Sequence, residues 1–216
     1  METVSYPSAL SMGPPKSTKV PGLKVCNISG PIGPATISTT NFTQTPFVPS
    51  SFGAEGKASK LTLDLTCDEE DLKSFMAVDE WCIDYLTAHS MRLFCIQYTR
   101  EEVQGIYKPC VRKTGNFEPL LRTKIIREGI NATRYWSFET KARSEPELWL
   151  SAEVRAKIRI ASLYITEGSC GITLECTDIQ VCREYKPPSC PFGRLISSQG
   201  QLQCSRMPAG LQGLLP

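Results

Sequence analysis

Arg155, Lys157 and Arg159 alternate with Val154, Ala156, Ile158 and Ile160. Side chains on a strand point to opposite faces in turn, so this stretch has one apolar face and one row of cations about 7 Å apart. Phosphates of a nucleic-acid strand repeat on a similar scale, and such a row can follow them. Arg122 and Lys124 repeat the arrangement within residues 120–126. No acid alternates with the cations in either stretch, which favours a binding face over an outer face laced with acidic partners. Tyr107, Phe117, Tyr135, Trp136, Phe138, Trp149 and Tyr164 lie close by in sequence. A basic groove with rings on which bases stack is the chemistry of single-strand binding. Core packing claims most such rings, because Tyr135 and Ser137 alternate with Trp136 and Phe138 and one face must be buried. Tyr107, Trp136 and Tyr164 are the candidate platforms.

Catalytic patterns are absent. The one histidine, His89, falls near the end of a helical stretch, and the sequence has neither GxxxxGK[ST] nor HExxH. The carboxylates of residues 68–71 suit a helix N-terminus. An acid/base pair built from distant Asp and Glu is the one enzymatic arrangement left open. The ten cysteines form no CxxC pair, so neither zinc nor another cofactor is expected and the thiols read as reduced. The sequence therefore points away from an enzyme.

The elements that must position these residues follow from hydrophobic period. In residues 60–66, Leu61, Leu63 and Leu65 alternate with Thr62, Asp64 and Thr66, which predicts a half-buried strand. Thr66-Cys67-Asp68-Glu69 reads as a capping box, with Thr66 as the cap, opening an amphipathic helix over about 68–90. Thr99-Arg100-Glu101-Glu102 opens a second, short helix that ends before Pro109. Period two then returns in 110–113, 120–127, 134–140, 148–165 (with a bend) and 171–183, with turns at Gly115-Asn116 and Glu167-Gly168. Residues 23–58 are rich in Gly and Pro and have room for one or two short strands, such as 35–40. This order predicts a mainly β (α+β) fold: an OB-like five-stranded β-barrel with a helical insertion, occupying residues 23–186. Residues 1–22 and 187–216, dense in Pro and Gly, read as flexible tails.

Composition agrees with a single domain. Hydrophobic residues make up 41% and charged residues 21% of the 216, enough for a core and against global disorder. Net charge is only +2, yet residues 61–107 hold three cations against ten acids and residues 108–165 hold twelve against six. That polarity marks a two-sided surface. No apolar run spans a bilayer, and Met1–Leu10 has no basic region before an apolar stretch, so neither membrane association nor secretion is expected. The expected location is nucleus or cytoplasm, or a viral replication compartment if the chain is viral. The three N-glycosylation patterns, at Asn27, Asn41 and Asn131, are then chance matches.

Residues 59–184 resemble the OB-fold single-stranded-DNA-binding proteins of large double-stranded DNA viruses and podophages. The resemblance starts at Lys60-Leu61-Thr62-Leu63-Asp64-Leu65, a helix with Asp79-Glu80-Trp81, and Thr99-Arg100-Glu101-Glu102-Val103. It continues through Ile106-Tyr107-Lys108-Pro109, Val111-Arg112-Lys113 and Pro119-Leu120-Leu121-Arg122-Thr123-Lys124-Ile125. It closes on Lys157-Ile158-Arg159-Ile160 and Cys170-Gly171-Ile172-Thr173-Leu174. The resemblance implies sequence-tolerant DNA binding in replication, recombination or repair. By motif it gives Tyr107, Lys108, Arg112, Lys113, Arg122 and Lys124 a groove role. Trp136, Arg155, Lys157, Arg159 and Tyr164 join them from the residue reading. Expected partners are single-stranded DNA (RNA being an alternative), replication proteins and a second copy of the chain. Podophage members recruit replication proteins through an acidic tail, whereas here the tail carries Arg183, Lys186, Arg194 and Arg206 with only Glu184. The competing reading is a virion or scaffold β-domain using the same strands for protein contacts. Salt-dependent oligonucleotide binding separates the two.

Overall fold

The computed structural model describes residues 9–51, 58–113 and 115–184. Its elements run β1 (Ser11–Met12), β2 (Lys16–Ser17), β3 (Lys24–Gly30), β4 (Gly33–Pro34), β5 (Thr36–Ser38), β6 (Thr43–Gln44) and β7 (Lys60–Leu65). Then come α1 (Glu69–Ala88), α2 (Ser90–Phe94) and α3 (Arg100–Ile106). The chain ends with β8 (Tyr107–Lys108), β9 (Val111–Arg112), β10 (Leu120–Ile126), β11 (Arg134–Ser137), β12 (Ala142–Arg143), β13 (Glu153–Ile165) and β14 (Cys170–Arg183). The fold is mainly β and OB-like, with the helices inserted between β7 and β8.

The β13–β14 hairpin is its spine. Both strands alternate apolar and polar residues, so Val154, Ala156, Ile158 and Ile160 enter the core with Leu174, Cys176, Ile179 and Val181. The turn is held by Thr166 Oγ1 donating to the Ser169 carbonyl at 2.8 Å. Three register shifts in the pair, at Glu153/Val154, Lys157/Ile158 and Ile160/Ser162, let these long strands bend and twist. The sheet runs β1-β3-β13-β14-β10-β7, with β10 parallel to β14 and antiparallel to β7. This path does not close into a continuous barrel. One residue, Gln44, reaches across the opening, pairing with Glu153 of β13 on one side and Thr66 beyond β7 on the other.

Helix α1 packs Leu72, Phe75, Val78, Cys82, Ile83 and Leu86 into the core. Its N-cap is Asp68, whose side chain accepts from the Asp71 amide at 2.8 Å, and not Thr66. Thr66 is engaged elsewhere, its hydroxyl donating to the Gln44 carbonyl at 3.1 Å. The second capping box forms as the sequence predicts: Thr99 accepts from the Glu102 amide and Glu102 accepts from the Thr99 amide. Strand 148–165 begins only at Glu153, because residues 149–151 turn and bury Trp149.

Within the segment read as a tail over residues 1–22, two short stretches join the sheet. Leu10 is buried, Ser11 and Met12 pair with Ser29 and Ile28, and Lys16 and Ser17 pair with Val25 and Lys24. Pairing through backbone groups needs no apolar period, so Gly- and Pro-rich sequence hides it. β3 itself, placed within a loop-rich region by its sequence, buries Cys26 and Ile28 and pairs with Ser162–Ile165 of β13. Residues 1–8 and the expected tail 187–216 lie outside the described residues.

Candidate nucleic-acid interface

Alternation on β7, β10 and β14 sends Thr62, Asp64, Arg122, Lys124, Thr173 and Glu175 away from the core. On this outer face lies a cleft of about 630 Å³. Five cations line it, Lys60, Lys108, Arg112, Arg122 and Lys124, against one acid, Glu175. Tyr164 is its one aromatic residue.

Lys108 and Arg112 enter the cleft because the segment between them is anchored from below. Asp79 of α1, itself buried, accepts from the Tyr107 hydroxyl at 2.7 Å, the Cys110 amide at 3.0 Å and the Cys110 thiol at 3.2 Å. Burial pushes the Asp79 carboxyl above its ordinary range, and these donors work against that rise. β8 and β9 then pair with β14 and β10, leaving Lys108 and Arg112 exposed on the rim.

Tyr164 lies across from Gly171 in the β13–β14 ladder. A Cβ at Gly171 would stand 2.7 Å from the Lys108 carbonyl and 2.9 Å from the Tyr164 hydroxyl. The missing side chain is therefore what lets the ring settle over β14 and lets β8 approach. Burial raises the Tyr164 phenol, opposed by the nearby Arg112 charge. Tyr164 is half-buried and faces the cleft, the position a stacking platform requires.

The cations are not equally available. Arg122 makes a two-pronged ion pair with Asp64, at 2.8 and 3.0 Å. Glu175, buried, is shared by Arg159 and, at 3.5 Å, by Lys60. Lys108, Arg112 and Lys124 form no ion pair with any described residue. Burial lowers the Lys124 pKa, the Lys60 charge lowers it further, and Glu175 opposes both.

Several sequence-predicted residues need correction. Tyr107 is 5% exposed and bonded to Asp79, so it anchors the rim and is no platform. Trp136 is half-buried and its Nε1 donates to Asp178 at 3.0 Å. Lys113 is exposed but lines a separate cleft with Met76, Glu80 and Gln104. Arg155, Lys157 and Arg159 share the outer face, yet none of them lines the cleft, and they do not act as one row. Arg155 donates to the Thr39 carbonyl at 3.0 Å, Lys157 is exposed, and Arg159 is held by Glu175 and Asn131. Only one of these partners is an acid, Glu175 on the neighbouring strand β14, and alternation within one strand shows none of them. The sequence missed Lys60 as a cleft residue; its place at the start of an alternating strand was the available signal. It also missed Gly171, whose pairing with Tyr164 only the register reveals.

Neither a family model nor a curated protein matches the chain. Solved structures do. gp2.5, a single-stranded-DNA-binding protein encoded by bacteriophage T7, superposes with a TM-score of 0.51 at 10% identity, covering 80% of this chain and 100% of its own. The chain shares the fold of this phage protein. The single-stranded-DNA-binding protein from bacteriophage Enc34, in complex with single-stranded DNA, gives a TM-score of 0.42 at 9% identity, covering 82% of this chain and 98% of its own.

Proposed function

We propose that the chain binds single-stranded DNA through the Tyr164 cleft, without catalysis and without reading sequence. The observation that carries this is the composition of the cleft: around one half-buried ring stand five cations and one acid, and three of the cations, Lys108, Arg112 and Lys124, make no ion pair with a described residue. Phosphates would sit on Lys108, Arg112 and Lys124, and a base would stack on Tyr164. Contacts of this kind, to backbone phosphates and to a base's ring face, do not read sequence. The shared fold with T7 gp2.5 supports the same reading. A role in replication, recombination or repair, in association with replication proteins or a second copy of the chain, suits such an activity. So does a location in the nucleus, cytoplasm or a viral replication compartment.

The test is titration of a fluorescent oligothymidylate at two salt concentrations, with duplex as control, on the wild type and a Lys108→Glu/Arg112→Glu variant. Each phosphate contact on a single strand contributes roughly 0.7 to the slope of log affinity against log salt, so the variant should lose roughly 1.4. Salt-independent binding, or none, would favour the protein-interaction reading, and equal affinity for duplex would overturn the preference for single strands.

A further inference from the structure

We infer that the bound strand continues from Tyr164 along the β13–β14 hairpin to a second base-binding subsite, formed by the rings of Phe42 and Phe138 with Arg155 and Lys157 beside them. This rests on the cleft being a single-strand site and extends it to surface that no core contact accounts for.

Three observations converge. The first is continuity. Outer-face residues follow one another down the hairpin as cross-strand pairs: Tyr164 with Gly171, Ser162 with Thr173, Arg159 with Glu175, Lys157 with Asp178, Arg155 with Gln180. From Tyr164 to Arg155 the path is about 30 Å at the usual strand rise. That length suits several nucleotides, within the roughly 4–16 that one OB fold covers.

The second is the ring pair. Phe42 precedes β6, whose Thr43 pairs with Val154; Phe138 follows β11, whose Ser137 pairs with Val181; and Val154 pairs with Val181. The two rings thus arrive from opposite sides of the hairpin's end and meet, centroids 5.9 Å apart and tilted by 43°. Gln180, the cross-strand partner of Arg155, donates to the Phe138 carbonyl at 3.1 Å and fixes that residue beside the cation. Phe42 is 38% and Phe138 61% exposed, so neither serves the core. Their open ring surfaces offer what a base stacks on.

The third is charge. Arg155 and Lys157 are exposed and make no ion pair with a described residue. Two of the acids nearby are occupied, Asp178 by Arg134 at 2.8 Å and by the Trp136 indole, and Glu139 by Lys141 at 2.7 Å, while Glu153, two residues before Arg155, makes no ion pair with a described residue. The end of the hairpin therefore combines two exposed rings with two cations whose charge no described acid pairs, Arg155 being oriented by its bond to the Thr39 carbonyl.

The experiment compares a four-nucleotide and a twelve-nucleotide oligothymidylate on the full chain. Its variants are Phe42→Ala/Phe138→Ala, Arg155→Glu/Lys157→Glu and the cleft variant Lys108→Glu/Arg112→Glu, each checked for an unchanged melting transition. The first two should each weaken the twelve-mer about fivefold or more while leaving the four-mer within about twofold; the fivefold is the low end of one lost stack. The cleft variant should weaken both lengths. A folded Phe42→Ala/Phe138→Ala protein that binds the twelve-mer like the wild type overturns the second subsite while leaving the cleft reading intact. Equal losses on both lengths overturn it as well. A wild type that binds neither oligonucleotide overturns the cleft reading and this inference together.

Discussion

The Tyr107 hydroxyl donates to Asp79 Oδ1 at 2.7 Å, joining the segment that follows α3 to the middle of α1. Both residues are buried, and the bond holds in place the strand whose next residue, Lys108, reaches the cleft. Tyr107→Phe keeps the ring and removes the donor, so Asp79 keeps its bonds to Cys110 and the Val111 backbone and loses the one to the phenol. The expected cost is about 1–3 kcal/mol, or a melting temperature lower by roughly 2–12 °C for a domain of this size. The salt slope of oligonucleotide binding should be retained, since no cation is lost. An unchanged melting temperature would show that the bond contributes nothing to the anchor.

The same aspartate predicts a pH effect. Burial holds the Asp79 carboxyl above its ordinary range in the folded protein, so folding favours its protonated form. That contribution is fully present below the unfolded value of about 3.9 and is lost as pH rises through the higher folded value. Asp79→Asn cannot titrate. The melting temperature of the wild type minus that of Asp79→Asn should therefore increase as pH falls from 7 toward 4. The subtraction removes carboxylates with the opposite sign, such as Asp68 and Asp178, whose lowered values make both proteins less stable in acid. A difference that is flat with pH, or shrinks in acid, contradicts the assignment.

Gly171→Ala tests how the floor of the cleft is built. The new methyl group would stand 2.7 Å from a backbone oxygen of Lys108, which cannot swing aside as a side chain can, and 2.9 Å from the Tyr164 hydroxyl. β8 and the Tyr164 ring must both move. The variant should melt lower, by about 1–3 kcal/mol in stability, and bind oligonucleotide more weakly even though no charge has changed. Wild-type affinity in this variant would exclude Tyr164 as a platform.

The long elements were legible because their local signals agree with their tertiary roles. The apolar stripe of α1 and the alternation of β10, β13 and β14 each report the face that is buried. β3 was not legible, since a strand framed by Gly22, Gly30 and Pro31 looks like a loop until Ser162–Ile165 pairs with it. Thr66 looked like a helix cap because the sequence cannot show Gln44 arriving from β6 to engage it. The candidate site was half legible for the same reason. Strand alternation correctly aimed Arg122, Lys124 and Arg159 outward, but which of them meets an acid depends on the neighbouring strand. Tyr107 carries the right side chain at the right place in the chain and is nonetheless buried, because its hydroxyl has a partner in α1.

That distinction gives the last prediction. Lys157 and Arg159 occupy equivalent places in an alternating pattern, so sequence alone predicts equivalent effects on reversal of charge. The structure separates them. Arg159 is paired with Glu175, which is 8% exposed, and its Nε is buried without a partner of its own. Arg159→Glu would set two carboxylates against each other there and should cost about 2–4 kcal/mol, somewhat below a fully buried pair because Arg159 keeps part of its surface in water. The melting temperature should fall by roughly 5–15 °C. Lys157 is exposed and makes no ion pair with a described residue, and its cross-strand neighbour Asp178 is already held by Arg134 and Trp136, so Lys157→Glu should cost about 1 kcal/mol or less. Binding should respond to both, but only the Lys157 variant would report on the nucleic-acid surface without a change in the fold. Thermal melts of the two single variants, followed by titration with a twelve-nucleotide oligothymidylate, decide the matter. Equal melting temperatures would mean that the Arg159–Glu175 pair is no more structural than a lysine in water.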